Sequence, residues 1–352
     1  MRLGKYDDKP SAKKPVKAKP PEEVIRQFSV SVEHEKVPTD SVSLDNLFAG
    51  GMPLGKFVVC SSPEGIGKST MALWVAKAFC SRGKKVLFVD AEGALNIELI
   101  EGIGLKQWAD PDDPDAAFKI IIVDTMDKLD ELFQAITTDA KTHYDLVIID
   151  SWNHVQPGIR KDIPIADVRP GVKATQDGIF LPKYKTECLR LNIAVWIIAQ
   201  KRASFAGWQP TYETAVSNSL KFAADCNLEL SKSEFFNGDD GNVAGCACNI
   251  EATKNKLGGP AFVKKPLHII FKRGISDLRT LTSLMIQGKD FKGEEGPTVK
   301  QKGAYYYPTT ASNPATEEQP DGKGMQGYAG LHDWVRENFD EVVGELSRRR
   351  LI

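Results

Sequence analysis

A short segment near residue 65 carries the residue types that bind phosphate groups. It reads Ser62-Pro63-Glu64-Gly65-Ile66-Gly67-Lys68-Ser69-Thr70 and lies between a short apolar run and a stretch with helical spacing. In that setting, backbone N–H groups and the first turn of the helix hold nucleotide phosphates. Lys68 would neutralise charge on the β- and γ-phosphates, and the Ser69 hydroxyl would bind Mg²⁺. Ser62 replaces the first glycine of the usual pattern, but Gly-Lys-Ser-Thr in this position disfavours a glycine-rich turn that binds no nucleotide.

Three polar residues at the ends of predicted strands extend this chemistry. Asp150 stands where a Walker-B aspartate holds the metal, directly or through water and Ser69. Glu92 could polarise an attacking water, and the amide of Gln200 could sense the γ-phosphate by hydrogen bonding. The carboxyl ends of the strands carry the ligand crevice in open α/β sheets. Taken singly, each residue has an ordinary alternative. Asp150 could be a common strand-end acid, Glu92 a surface acid or a helix-capping partner, and Gln200 a solvated amide.

The elements that would position these residues alternate between short apolar runs and helical segments. The runs are continuously apolar, which is typical of parallel strands covered on both faces, and the alternation favours an α/β fold. After about residue 222, shorter strands joined by turns predict an antiparallel extension of the sheet. The predicted strands are Phe57–Cys60, Val86–Val89, Phe118–Val123, Leu146–Ile149, Ala194–Ala199, Leu228–Ser231, Asn249–Thr253 and His268–Lys272, and the clearest predicted helices are Ser69–Arg82 and Asp127–Ala140.

Changes in composition divide the chain into three predicted parts. Residues 1–38 read as a basic flexible tail and linker, with a strand at Phe28–Val32 that could pair with a neighbouring subunit or within its own chain. Residues 39–285 form the predicted core. Residues 286–352 form a small C-terminal α/β domain that contains Tyr305–Tyr307 and a helical end from Leu331 to Arg350.

Composition excludes several classes of protein. The chain has 352 residues, of which 41% are hydrophobic, so most of it can build a core. We find no apolar run of about 18 residues and no signal-peptide core, so neither a membrane span nor secretion is expected. Six scattered cysteines predict buried thiols in a reducing cytosol, because Cys246-Ala247-Cys248 is too tight for ordinary zinc spacing. The net charge of −1 gives no indication of a nucleic-acid partner, but an average hides local patches.

Several segments together resemble the RecA/UvsX recombinase family. A phosphate loop alone is shared by many ATPases, whereas Asp-Ala-Glu followed by Lys-Asn-Lys is much more specific. The resemblance spans residue 39 to the end of the chain and weakens between Gly303 and Trp334. The segments that carry it are Thr39–Asp45 with Gly50–Gly55, Pro63–Thr70, Asp90–Leu95, Ile148–Ser151, Asn218–Phe222 and Lys254–Lys256.

The resemblance implies a role for individual residues. Glu92 matches the general base for water attack, and Gln200 matches the switch between nucleotide state and DNA affinity. Lys254 and Lys256 match lysines that reach ATP held by the adjacent subunit, in the manner of an arginine finger. Phe222 matches a residue that relays the nucleotide state across the interface. The ordinary alternative for Lys254 and Lys256 is a solvated basic pair, and that for Phe222 is an apolar core position.

Two long segments correspond to DNA-binding loops in the family. They run from about 156 to 175 and from about 202 to 217, and loops of this length are usually functional or disordered. Basic side chains there could contact phosphates, and apolar side chains could wedge between bases. The candidate DNA-binding residues are Arg160, Lys161, Arg169 and Lys173 in the first loop, and Arg202, Phe205 and Trp208 in the second.

The chain also departs from the bacterial members. Asn96 and Leu99 fall where those proteins have an acidic residue and a tyrosine near the adenine, so Asn96 is a candidate nucleotide contact and stacking on Leu99 is not expected. The bacterial N-terminal helix is not recognisable. The chain ends Arg348–Ile352, whereas the bacterial protein ends in an acidic tail, so regulation by such a tail is not expected. These departures are typical of a phage-type relative.

The resemblance therefore implies an ATP- and Mg²⁺-dependent recombinase with a RecA-like core. It would form helical filaments on single-stranded DNA and promote pairing and strand exchange with homologous duplex DNA. Single-strand-binding and loader proteins are further candidate partners. The cytoplasm, that of a bacterial host if the gene is phage-encoded, is the expected location. The alternatives are a ring-forming RecA-fold helicase, a recombination mediator without strand exchange and, more remotely, a small-molecule kinase.

Overall fold

A computed structural model describes most of the chain. The described residues are 33–110, 113, 115–139, 142–158, 171–204, 211–214, 216–238, 241–287, 299–302, 305–308 and 325–348. The predicted strand Phe28–Val32 lies outside them. The chain divides between residues 33 and 34, and the described residues from His34 onward belong to one compact unit.

Strands and helices alternate through the first two thirds of this unit. The strands are β1 (Lys36–Val37), β2 (Met52–Pro53), β3 (Phe57–Ser62), β4 (Val86–Asp90), β5 (Phe118–Ile121), β6 (Leu146–Asp150), β7 (Ala194–Ser204), β8 (Thr211–Thr214), β9 (Cys226–Asn237), β10 (Val243–Asn255), β11 (Lys264–Ile270), β12 (Gly274–Ile275), β13 (Val299–Lys302), β14 (Tyr305–Pro308) and β15 (Met325–Gln326). The helices are α1 (Val42–Leu47), α2 (Lys68–Cys80), α3 (Ile97–Ile103), α4 (Met126–Thr138), α5 (Val172–Leu191), α6 (Asn218–Ala223), α7 (Asp277–Gln287), α8 (Gly327–Glu337) and α9 (Phe339–Arg348).

One large sheet organises the unit. Its strand order is β12-β11-β10-β9-β3-β7-β6-β4-β5, and β8 pairs with β7. The pairs from β9 through β3, β7, β6 and β4 to β5 are parallel, whereas β9 to β12 pair antiparallel. The predicted α/β fold, a mostly parallel sheet with an antiparallel extension, is confirmed. The parallel strands bring Ser62, Asp90, Asp150 and Gln200 to the same edge of the sheet.

Each central strand is buried on both faces, which explains its continuous apolar sequence. In β3, Val58 and Cys60 contribute to the cluster under α2 and α3, whereas Phe57 and Val59 contribute to the cluster under α4 and α5. The second cluster includes edge-to-face packing of Phe133 on Phe180, with ring centroids 5.1 Å apart. This packing fixes the strand ends that carry the polar residues.

The segments predicted as DNA-binding loops contain more regular structure than expected. Helix α5 begins at Val172, directly after Gly171 in the left-handed conformation, so the end of the first predicted loop is helical. Strand β7 continues to Ser204 and pairs antiparallel with β8, with Lys201 opposite Thr214. The second segment therefore contains a hairpin.

The C-terminal helices build a separate apolar cluster. Helix α7 packs against α8 and α9 through residues such as Leu281, Met285, Leu331 and Val342. The predicted boundary between residues 285 and 286 lies inside α7, and the division into core and C-terminal domain stays a prediction. In the described ranges, no helix combines the length and apolarity that a membrane crossing requires.

Candidate active site

The phosphate-loop segment connects β3 to α2 at the carboxyl edge of the sheet. Gly65 and Gly67 have φ values of 74° and 95°, in the left-handed region that glycine adopts without strain. A Cβ atom at Gly67 would lie 3.0 Å from Ile269, so space as well as conformation favours glycine there. Backbone N–H groups at the start of α2 border a cavity of about 560 Å³. The loop thus has the form of an anion-binding helix N-terminus.

Lys68 is buried in the lining of this cavity and contacts its own loop. Its Nζ donates to the carbonyl oxygens of Ser62 (3.2 Å) and Pro63 (2.9 Å), and it lies 3.2 Å from Ser62 Oγ. Burial lowers the pKa of Lys68, and the charges of Asp150 and Glu92 oppose that shift. Ser62 is fully buried, and its hydroxyl donates to the Pro63 carbonyl oxygen (2.6 Å). The serine that replaces glycine therefore adds a hydrogen bond within the loop and an acceptor for Lys68.

Asp150 and Ser69 form an oxygen-rich pair beside Lys68. Asp150 is buried at the end of β6, where burial raises the pKa of its carboxyl group to about 6. A hydrogen bond from Ser69 and the charge of Lys68 oppose that rise, whereas the charges of Glu92 and Asp90 add to it. A carboxylate and a hydroxyl are ligands that Mg²⁺ accepts, and a bound dication would stabilise the ionised carboxylate. The donors therefore fit the expected metal.

The loop that carries Glu92 is held by a buried acid. Asp90, at the end of β4, accepts from the backbone N–H groups of Gly93 (2.8 Å), Ala94 (3.3 Å) and Leu95 (3.1 Å). These bonds close the turn after β4. Glu92 is thereby fixed in the lining of the phosphate cavity.

Three side chains converge on a single oxygen of Glu92. Its Oε1 accepts from Ser151 Oγ (2.8 Å) and from Gln200 Nε2 (3.2 Å), and it lies 2.8 Å from Nδ1 of His154. His154 was not predicted as a site residue from the sequence. Its position four residues after Asp150, at the carboxyl edge of the sheet, is the signal that could have identified it.

Two further residues near the cavity differ from expectation. Phe271 lines it and was not predicted, because it follows an antiparallel strand remote in sequence. Asn96 lies outside this lining, in a neighbouring cavity beside β5. Its side chain caps α3 by accepting from the N–H of Leu99 (2.9 Å). Asn96 as a nucleotide contact therefore stays a prediction.

Lys254 and Lys256 lie towards the amino ends of the parallel strands, away from the carboxyl ends that carry the phosphate loop. Cys226, which begins β9, pairs with Val58 near the start of β3, and Asn255 pairs with Cys226. The phosphate loop follows the other end of β3. Lys254 donates to the carbonyl oxygens of Lys221 (3.0 Å) and Phe222 (2.9 Å). The structure does not bring either lysine to the cavity of its own subunit.

The candidate DNA-binding residues are only partly described. Arg160, Lys161, Arg169, Phe205 and Trp208 lie outside the described residues, and Arg202 lies in β7.

Lys173 lies in a helix and not in a loop, and its role in DNA binding stays a prediction. Lys173 lies in the first turn of α5, with its ammonium 3.3 Å from Asp177 Oδ1 and 4.3 Å from the centre of the Trp152 ring. These contacts direct the ammonium group towards Asp177 and Trp152.

Asp177 connects the segments at the base of both predicted loops. It is 1% exposed. Its Oδ2 accepts from Trp152 Nε1 (3.2 Å) and from Ser217 Oγ (2.6 Å), and Lys173 pairs with Oδ1. Lys173 lies near the C-terminal end of the first predicted loop segment, and Ser217, which caps α6, ends the second. This cluster of four side chains, the Asp177 junction, was not predicted.

A phosphate loop on a mostly parallel, helix-covered sheet defines an α/β phosphate-loop protein. The family model of the RecA N-terminal domain matches residues 22–276. The chain belongs to the RecA family of recombinases.

Known relatives agree with this assignment. The chain is 28% identical over 278 residues to Protein RecA of Gloeobacter violaceus, an alignment that covers 77% of this chain and 69% of that protein. It is 30% identical over 258 residues to Protein RecA of Bartonella quintana, with 73% and 71% covered. The crystal structure of the RadB recombinase matches with a TM-score of 0.50 at 19% identity, over 68% of this chain and 99% of that one, which supports the fold.

Proposed function

We propose that this chain is an ATP-dependent recombinase that forms filaments on single-stranded DNA and exchanges strands with homologous duplex DNA. The observation that carries the proposal is the meeting of Lys68, the Ser69–Asp150 pair and Glu92 around one cavity in a chain of the RecA family. Phosphate binding, metal binding and activation of water each have a residue there. Base pairing, and not the protein, would read the DNA sequence.

The residues of the cavity divide the chemistry of ATP hydrolysis. The phosphates would replace the loop carbonyls as partners of Lys68, because an ionised acceptor binds an ammonium group more strongly than a neutral one. Mg²⁺ held by Ser69 and Asp150 would neutralise phosphate charge. Glu92 would accept the proton of the attacking water. Phe271 offers an apolar surface in the same lining.

The placement of Lys254 and Lys256 supports a role in a neighbouring subunit. They lie at the sheet edge away from their own phosphate loop, beside Phe222, whose side chain is 78% exposed. An exposed phenylalanine next to two lysines is suited to an interface. A head-to-tail contact that does not close generates a filament, and ATP would then be bridged by both subunits.

The lateral edge strand of the sheet offers a second surface for contact between subunits. Strand β5 is its last strand, and Ile120 and Ile122 are 39% and 74% exposed. An open strand edge accepts a further strand from another chain. The alternating sequence Phe28–Val32 of a neighbour is the candidate for that strand.

DNA would bind through the segments between β6 and α5 and between β7 and α6. Arg160, Lys161 and Arg169 of the first segment would contact phosphates, and Phe205 and Trp208 of the second would stack on bases, so a net charge of −1 is compatible with DNA binding. Single-strand-binding and loader proteins would act on the same filament. We place this activity in the cytoplasm, that of a bacterial host if the gene is phage-encoded.

The first test measures ATP hydrolysis with and without single-stranded DNA. We expect DNA to raise the rate several-fold, and Lys68→Ala to reduce it at least about 100-fold, because the phosphate charge loses its partner. Lys77→Ala on the same helix serves as the control and should retain most of the activity. Hydrolysis that ignores DNA would contradict the recombinase proposal, and electron microscopy would then show whether closed rings replace filaments.

A further inference from the structure

We propose that His154 is a positioning residue for Glu92 that holds one carboxylate oxygen and leaves the other for the attacking water. The inference rests on the proposed ATPase function. It concerns a histidine that lies outside the motifs of the phosphate loop and the strand-end acids. His154 lines the same cavity as Lys68 and Glu92, so its effect would be exerted at the reacting end of the nucleotide.

The distances define which ring nitrogen acts and what it carries. His154 Nδ1 lies 2.8 Å from Glu92 Oε1 and 2.8 Å from Ser151 Oγ. Ser151 donates its one hydroxyl proton to Glu92 Oε1. An ionised carboxylate only accepts, so a nitrogen at hydrogen-bond distance from it must bring its own proton. We therefore assign the proton to Nδ1, which donates to Glu92.

The backbone around His154 is anchored on both sides. Trp152 N donates to the carbonyl of Ile198 (2.9 Å), and Gln156 N donates to that of Asp124 (2.8 Å). Between these anchors, Asn153 Oδ1 accepts from the N–H of Gln200 (2.9 Å). The segment that carries His154 is thus tied to β7 and to the start of α4. A donor on so fixed a segment can set the orientation of Glu92.

The arrangement separates the two oxygens of Glu92. Within the described part of the chain, Oε1 takes all the side-chain contacts of this carboxylate: Ser151, Gln200 and His154. Oε2 is left to accept the water proton. Without Nδ1, Gln200 and Ser151 alone would hold Oε1, and the carboxylate would rotate more freely. Small errors in the placement of a catalytic group can cost about 100-fold in rate.

The test exploits the different reach of asparagine and glutamine. The amide nitrogen of asparagine occupies roughly the position of Nδ1, whereas that of glutamine occupies roughly that of Nε2. We expect His154→Leu and His154→Gln to lower kcat for ATP about 10- to 100-fold with KM changed less than about threefold. His154→Asn should stay within about threefold of the unsubstituted protein. Equal activity of the leucine variant, or equal losses in the asparagine and glutamine variants, would overturn the proposal.

A second measurement does not depend on ATP hydrolysis. The chain has five histidines, so ¹⁵N spectra of histidine-labelled protein contain few signals, and His154→Asn identifies the one that is lost. We expect the neutral His154 ring to carry its proton on Nδ1, and Glu92→Ala to remove that preference. A proton on Nε2 in the unsubstituted protein would refute the inference even if ATP is hydrolysed. Inactivity of the unsubstituted protein with an Nδ1 proton present would instead refute the proposed function alone.

Discussion

Glu92→Gln should lower kcat for ATP hydrolysis about 10²- to 10⁴-fold and leave ATP binding almost unchanged. The amide is nearly isosteric with the carboxylate. Its oxygen is expected at the Oε1 position, because Ser151, Gln200 and His154 all donate there. The NH₂ group then occupies the Oε2 position, where it donates and cannot accept a proton from water. Phosphate release and ATP titration measure the two effects separately.

The matched control is Glu98→Gln. Glu98 lies near the same end of the sheet, in α3, where its exposed carboxylate pairs with Lys272 at 2.6 Å. An exposed ion pair contributes little to stability, and this glutamate is outside the cavity lining. Its replacement should leave turnover unchanged. Normal turnover by the Glu92 variant would remove Glu92 as the general base.

The same variant tests whether the lysines act across a subunit interface. Filaments of Glu92→Gln subunits and filaments of Lys254→Ala/Lys256→Ala subunits should each be inactive. Random mixing of the two at equal amounts creates sites with an intact Glu92 and intact lysines at about a quarter of head-to-tail interfaces, so activity should return to that extent. Because Lys254 also binds the carbonyls that end α6, the experiment is repeated with Lys256→Ala alone. Absence of recovery in both mixtures would contradict action in trans.

Secondary structure could be predicted from the sequence where a segment has the same environment along its whole length. Strands such as Leu146–Asp150 are buried along their whole length and therefore read as apolar runs. Helix α5 was missed because Pro182 and Gly178 interrupt its sequence. A proline inside a helix costs about 3 kcal/mol, and the helix persists because it buries Phe180, Leu181 and Tyr184. Local propensity and tertiary packing disagree there, and packing dominates.

Some residues of the candidate site could likewise be predicted from the sequence, and others could not. The phosphate loop, Asp150 and Glu92 are recognisable because their chemistry depends on position relative to one strand end. Phe271 joins the cavity only through the arrangement of strands distant in sequence, which periodicity does not encode, whereas His154 follows the same strand as Asp150 but belongs to no recognised motif. Lys173 shows the converse difference: a lysine in a loop-like sequence is expected to be exposed, but in the structure it lies in a helix and contacts Asp177 and Trp152.

Asp177→Ala should lower the free energy of unfolding by about 3–5 kcal/mol, because it leaves a mostly buried lysine without its counter-ion. The side chain of Lys173 is 25% exposed, and burial already lowers its pKa, whereas the charge of Asp177 opposes that shift. Removal of Asp177 also leaves Trp152 Nε1 and Ser217 Oγ without an acceptor. Urea unfolding followed by tryptophan fluorescence measures the loss as a lower midpoint at an unchanged slope.

The control substitution removes an aspartate of α4 from an exposed ion pair with α5, the helix that carries Asp177. Asp130 lies 2.7 Å from Lys183 in α5, but both side chains are more than 40% exposed, so Asp130→Ala should cost far less than Asp177→Ala. Lys173→Met/Asp177→Asn separates charge from hydrogen bonding, since asparagine still accepts from Trp152 and Ser217 and no buried ammonium remains. We expect this double variant to recover more than half of the lost stability. Equal losses of unfolding free energy for Asp130→Ala and Asp177→Ala would show that the Asp177 junction is not a buried charge pair. Absence of recovery in the double variant would show that the buried ammonium group is not the cause of the large loss.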